Sequence, residues 1–408
     1  MRKKYVIAGA GHRALYMFAL PIVRRFRDTA ELVGVYDINL SRAQTLSRMC
    51  GGVPVYEDFD EMLAASGADA VIVTTVDSVH HEYIIRALRA GCDAITEKPM
   101  TTDEVKCRAI LEAERETGRR VIVTFNVRYI PYVGRVKELI RQGAVGKVLS
   151  VHLEYMLDTS HGADYFRRWH RHLEYGGGLL VHKSTHHFDM VNWWLEDEPQ
   201  TVHAFGDTVF YGPTREKRGE RCLTCGHKSD CEFFFDATAD EVLKQLYVDN
   251  EREDGYFRDR CVFGDGITTY DTMSVQVRYR GGALLTYSLN AFCPYEGWKV
   301  SINGTEGRLE AESYEHALNA GAASDVIRVF HRRGEAIVYH VPKVEGAHGG
   351  GDERLQNSLF VGGEPDPLGR RAGSWEGAQS ILIGIAANRS IACGGPVDVQ
   401  ALLEPGGA

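Results

Sequence analysis

The chain lacks any apolar run near the roughly twenty residues that a membrane-spanning helix requires. It also lacks a basic excess: 47 Lys and Arg against 56 Asp and Glu leave a formal charge of -9. That balance argues against a general nucleic-acid surface, which would need a basic stripe. A secretory leader is not evident. Met1-Arg2-Lys3-Lys4-Tyr5-Val6-Ile7-Ala8 runs from a basic start straight into a strand and a glycine turn, the opening expected of a cytoplasmic enzyme. The cysteines number nine, an odd count that without a leader does not suggest a disulfide framework. Internal repeats and low-complexity tracts are missing as well. What is present is ordinary for a globular enzyme: 44% apolar and 25% charged residues in 408 positions, enough for two domains.

The first third alternates strand and helix. Strands are expected over 4–8, 31–37, 70–75, 93–96 and 120–126, with helices over 13–27, from about 41, over 82–89 and over 102–117. Buried apolar strands alternating with helices imply a parallel, doubly wound sheet, placed here in residues 1–128. Beyond that point the pattern changes. Strand-like runs at 148–157, 201–210, 273–279, 284–289, 299–302, 307–309, 326–331 and 336–340 follow one another with few helices between. They imply one large open, mostly antiparallel sheet in residues 129–408. Helices are expected over 179–195 and 375–391, and a polar, cysteine-bearing insertion over about 212–260.

Gly9-Ala10-Gly11-His12-Arg13-Ala14 follows the first strand and opens the first helix, with Ala14 in the third small position. The first glycine allows the tight turn. The second lets the backbone of Gly11, His12 and Arg13 approach a pyrophosphate at a helix N-terminus. Asp37 ends the second strand and can accept from both ribose hydroxyls of an adenosine, which favours NAD over NADP. Arg42 is a residue that could soften that preference. Thr74 and Thr75 end the next strand, where a dinucleotide's central part would lie. His80 follows, with packing near a nicotinamide set against a helix-capping role. Glu97-Lys98-Pro99 ends a later strand. A lysine between a carboxylate and a proline at a strand end can be aimed rigidly into a cleft, beside a reacting hydroxyl.

These motifs resemble the Gfo/Idh/MocA family of glucose-fructose oxidoreductases and inositol dehydrogenases. The resemblance rests on Gly9 to Ala14, His80, Glu97-Lys98-Pro99, Asn126 to Arg128, Pro131, Gly143 to Gly146, Gly176-Gly177-Gly178, Gly281-Gly282 and Gly304-Thr305-Glu306-Gly307, and covers nearly the whole chain. It implies a Rossmann domain, a C-terminal α/β domain, NAD(P) chemistry on sugars or cyclitols, and homodimers or homotetramers built through the C-terminal sheet. Asn126 would touch the cofactor and Arg128 the substrate. Similar members commonly carry an aspartate four residues before a histidine. Here the histidine is His186, but His182 stands where the aspartate would be. A spacing of four would put the two imidazoles side by side on a helix. They could form an acid/base relay or ligate a metal with Asp189 or His187, or His182 could simply pack in the cleft. Lys183 is a further substrate contact.

His161 to His172, with Tyr165, Arg168 and Trp169, is cationic and aromatic, suited to a sugar and to an anionic one in particular. The alternative is a solvated surface turn. Tyr155 and Asp158 lie at a strand end that could join this pocket. Cys222, Cys225, Cys231 and Cys261 have the spacing of structural zinc ligation, with His227 as another fourth ligand. Unligated thiols are the other reading. His348-Gly349-Gly350-Gly351-Asp352 is either a cleft-facing turn or a helix start capped by Asp352.

The reaction expected is NAD-dependent hydride removal from a secondary hydroxyl of a sugar, glycoside or cyclitol. His186 takes the proton by resemblance, Lys98 steadies the alkoxide, and Glu97 orients Lys98. The alternative is a redox-neutral glycosidase using NAD transiently, on an anionic glycoside such as a sulfoquinovoside. A non-catalytic NAD(H) sensor is a third reading.

Overall fold

The structure, a computed structural model, describes residues 2–315 and 322–404. Six strands form a first, wholly parallel sheet: β1 Lys3–Ala8, β2 Ala30–Tyr36, β3 Val55–Tyr56, β4 Ala70–Val73, β5 Asp93–Thr96 and β6 Val121–Val123. Their order is β3-β2-β1-β4-β5-β6, so the chain reverses direction across the sheet between β1 and β4. A crevice opens there at the carboxyl ends of the strands, where ligands bind in such sheets. β4 and β5 are buried at every position, which is why β4 reads as a continuous apolar run. In this sheet the strand unanticipated from sequence, β3, is two residues long and half-buried at the sheet edge. It is too short to carry a pattern.

The second sheet has nine strands: β7 Val148–Asp158, β8 Pro199–Asp207, β9 Thr272–Tyr279, β10 Leu284–Cys293, β11 Gly297–Gly304, β12 Gly307–Tyr314, β13 Ser324–His331, β14 Ala336–Pro342 and β15 Val397–Asp398. The order is β14-β13-β12-β11-β7-β10-β9-β8-β15, antiparallel except where β7 meets β10. β9 alternates buried and exposed positions along its length, the pattern of a sheet with one covered face. The cover includes the long helix Ser374–Cys393, whose Ser390 Oγ accepts from Ala204 N on β8 at 2.9 Å.

The helix expected over 179–195 is broken. It runs as Gly178–His182 and Thr185–Leu195, interrupted at Lys183 and Ser184. Ser184 N–H donates to Leu179 O at 2.8 Å, closing the first turn, and the Ser184 hydroxyl pairs with Tyr287 at 2.9 Å. His182 and His186 therefore stand on different helices, and the expectation of a shared helical face fails. Gly384 of the long helix lies directly against the first of them: a Cβ there would sit 2.3 Å from Leu180 O. Gly384→Ala should force these helices apart and destabilise the protein by about 1–3 kcal/mol, measured as a lower urea midpoint.

Candidate active site

The turn after β1 has the shape its sequence implies. Gly9 adopts φ +95°, and a Cβ there would meet the Thr74 and Thr75 backbone at 2.7 Å. Only glycine fits such a turn. Thr74 Oγ1 donates to Gly9 O at 2.7 Å and so ties the turn to the end of β4. Asp37 is buried. Its carboxylate accepts from Ala10 N at 2.6 Å and from Asn39 N at 2.8 Å, and pairs with Arg42 at 3.4 Å. Small residues at the turn, amide donors at a helix start and a carboxylate at the end of β2 are the donor set that a dinucleotide requires. Arg13 reaches from this turn to Glu97, at 2.8 Å, and to Asp352, at 3.1 Å. Asp352 also accepts from the Asn126 amide and from His348, at 3.1 Å. Asp352 thus faces the cleft and does not cap its helix, which settles the choice left open by the sequence.

Glu97 is therefore committed to Arg13, and the expectation that it orients Lys98 is corrected. The lysine is held from the other domain: Nζ donates to the His182 carbonyl at 3.1 Å and lies 3.3 Å from His182 Nε2. On the far side of that ring, Nδ1 is 2.5 Å from Asp77 Oδ2. Because the ammonium can only donate, Nε2 is the acceptor and Nδ1 carries the proton given to Asp77. The result is a chain from Asp77 through His182 to Lys98 that crosses the domain boundary. Burial pulls Lys98 down to about 8, opposed by the negative charges of Asp77 and Glu97. Burial, then the nearby Lys98 charge, holds both His182 and His186 well below the ordinary imidazole range. The two lobes thus bring Lys98, His182 and His186 together. His186 packs edge-on to Phe125 at 6.0 Å, and its Nδ1 is buried with no hydrogen-bond partner among the described residues.

The profile described as "Oxidoreductase family, NAD-binding Rossmann fold" matches residues 3–125, and "Oxidoreductase family, C-terminal alpha/beta domain" matches 137–399. The chain belongs to the Gfo/Idh/MocA oxidoreductase family. It is 38% identical over 426 residues to YteT of Bacillus subtilis (strain 168), covering 98% of this chain and 99% of that one. It is 30% identical over 175 residues to an inositol 2-dehydrogenase of Rhizobium meliloti (strain 1021), covering 43% of this chain and 50% of that one. The crystal structure of the WlbA dehydrogenase from Bordetella pertussis, in complex with NADH and UDP-GlcNAcA, matches with a TM-score of 0.68 at 19% identity. That match covers 98% of this chain and 99% of that one, and speaks for the fold.

Several residues expected at the Gfo/Idh/MocA site serve elsewhere. Arg128 is buried in a two-pronged pair with Asp189, at 2.6 and 2.7 Å, and is spent as a strut behind the site. That pair also removes Asp189 from any metal with the histidines, as does the 2.8 Å contact of His187 Nδ1 with Tyr287. His80 is buried with Nδ1 2.9 Å from Pro99 O and Nε2 3.1 Å from Thr75 O. It braces two strand-end turns and does not reach the nicotinamide region as an open ring. The Tyr155 hydroxyl donates to Glu296 at 2.5 Å beneath the site, and Lys183 stands over the Tyr155 ring at 5.1 Å. In the basic loop, Trp169 stacks on His170 at 3.6 Å and meets His182 edge-on at 5.8 Å. Arg168 pairs with Asp164, at 3.2 Å, which also binds Arg258, at 2.6 Å.

The four insertion cysteines and His227 line one cavity. Among the described residues, however, only Asp158, His161 and Glu296 place three metal-ligating atoms within 4.8 Å of one another. The zinc arrangement expected of the thiols is not formed. Cys222 Sγ faces Arg167 and Phe233 O, while Cys225 Sγ accepts from His227 N at 3.4 Å. In the Asp158 group, Asp158 caps the helix Thr159–Arg167, and His161 Nδ1 lies 2.9 Å from Glu296. Burial raises Glu296, but the His161 hydrogen bond and the Lys183 charge outweigh it and hold the carboxyl below its usual range.

Sequence reasoning missed Asp77. The signal was the substitution at position 182, which left an imidazole without its orienting carboxylate. Asp77→Asn should keep cofactor binding, lower kcat by about 10- to 100-fold, and move the alkaline limb of the pH–rate profile to lower pH. The sign follows because Asp77 raises Lys98 and its loss lets the lysine deprotonate sooner.

Proposed function

We propose that this Gfo/Idh/MocA oxidoreductase removes hydride from a secondary hydroxyl of a sugar, glycoside or cyclitol, with NAD as the acceptor. The observation that carries the reading is the partly buried Lys98, tuned to about 8 and joined through His182 to Asp77 across the cleft. NAD supplies the hydride acceptor when bound. Gly9, Gly11, His12, Arg13, Asp37 and Asn126 would hold it. His186, neutral at physiological pH because burial and Lys98 depress it, takes the hydroxyl proton. Lys98 presents its ammonium where the alkoxide charge develops. Trp169 offers a flat face to a sugar ring. The choice of NAD over NADP rests on Asp37, whose carboxylate repels a 2′-phosphate. Carbohydrate substrates fit the names of the inositol 2-dehydrogenase and WlbA relatives. An anionic substrate finds less support, since Arg167 and Arg171 are buried and bonded to backbone carbonyls and Arg168 is paired with Asp164.

Assembly through the C-terminal sheet is part of the proposal. Phe205, Leu284 and Phe330 are exposed on β8, β10 and β13, on the face that helices leave open. Cytoplasmic placement is likewise part of the proposal. Among the described residues no helix is long and apolar enough to cross a membrane.

Lys98→Met should reduce kcat about 10²- to 10³-fold with little change in NAD affinity; unchanged turnover would remove the lysine from the mechanism. In the wild type, oxidation should fall as pH rises through about 8, because the lysine must be charged to hold an alkoxide. Substrate turnover should accumulate NADH. Release of an aglycone with no net change in cofactor absorbance would instead assign the redox-neutral glycosidase chemistry.

A further inference from the structure

The insertion does more than decorate the surface. Its segment 241–258 leaves the C-terminal domain and lies along the dinucleotide crevice of the other domain. The Tyr247 hydroxyl accepts from His12 N–H at 2.8 Å. It also stands 3.0 Å from where a Cβ on Gly11 would be. In a Rossmann turn the second glycine lacks a side chain so that a pyrophosphate can approach, and amides at the start of the helix are its donors. Here a tyrosine oxygen of the same chain holds that place and that donor.

The contact extends to the ribose end. Glu253 accepts from Leu40 N at 2.5 Å and from Ser41 N at 3.1 Å, at the start of the helix Leu40–Met49. Arg42, which pairs with Asp37, also donates to Leu246 O at 3.1 Å and pairs with Asp254 at 2.6 Å. The Asn39 amide donates to Asn250 O at 2.9 Å. Arg42 lies 5.4 Å from the Tyr247 ring centre. The segment's far end brings Arg258 near His12, whose imidazole is lowered first by burial and then by the charges of Arg258 and Arg168.

We infer that segment 241–258 is a latch over the dinucleotide site, with the Tyr247 hydroxyl standing in for a cofactor phosphate oxygen, so that the dinucleotide binds as the latch lifts. A single N–H cannot serve the tyrosine and a phosphate at full strength. The dinucleotide must therefore displace the hydroxyl, and the observed affinity is reduced by the fraction of molecules that are latched. The inference rests on the NAD reading above.

The test is calorimetric titration of the full-length protein with NAD+ and with ADP-ribose, which carries the phosphates without the nicotinamide. Tyr247→Phe keeps the ring against Arg42 and removes only the competing oxygen. It should bind both ligands about 3- to 10-fold more tightly. Glu253→Gln, which weakens the latch at its other end, should act in the same direction. Hydrogen exchange in 241–258 should speed up when NAD+ is added. Weaker or unchanged binding in both variants, or slower exchange of the segment on adding NAD+, would overturn the latch and leave the NAD reading intact. Failure of wild type and both variants to bind NAD+ at millimolar concentration would bring down the NAD reading and the latch with it.

Discussion

A lysine ammonium taken out of water between two domains is the constraint around which this site is built. Removing a charge from water is costly unless hydrogen bonds and opposite charge replace the lost hydration. For Lys98 those replacements come from both lobes at once. The His182 carbonyl and ring belong to the C-terminal domain, while Asp77 and Glu97 belong to the Rossmann domain. The lysine reaches its working state only when the lobes are docked. The lysine's hydrogen bonds and the docking of the lobes are thereby one structural event.

The His182 substitution shows how a missing group can be made good from elsewhere in the fold. In similar members the carboxylate would stand on the histidine's own segment. Here position 182 is an imidazole, and the carboxylate is Asp77, in the short turn after β4. Its donor–acceptor order is fixed by the lysine at the other end of the ring. The chain keeps a carboxylate at one end of the ring and Lys98 at the other.

Much of this was legible in the sequence because it depends on local pattern. β4 is apolar throughout because both its faces are covered. The Gly9 turn announces itself because only glycine tolerates its φ and its approach to Thr74. Motif singled out Lys98 and His186, and the Lys98 charge acts on His186 in the structure. What could not be read depended on contacts between distant segments. Arg128 looked like a substrate ligand, but its partner Asp189 lies 61 residues away. His80 looked like a cofactor contact, but two backbone carbonyls claim its ring. The helix expected over 179–195 carries helical periodicity, and it breaks where Ser184 finds Tyr287 on β10. The cysteine spacing is that of a metal clip, yet the thiols' neighbours turn them to other partners.

The bridge from Arg13 and Asn126 to Asp352 has a consequence for how the molecule is made. The phosphate turn and its partner carboxylate are 339 residues apart in the chain. A nascent or excised nucleotide domain would carry an arginine lacking one of its two carboxylates and an asparagine amide without its acceptor. The dinucleotide crevice is thus finished only when the last part of the chain returns to it. The partners of Arg13 and Asn126 at this turn thus come from both domains.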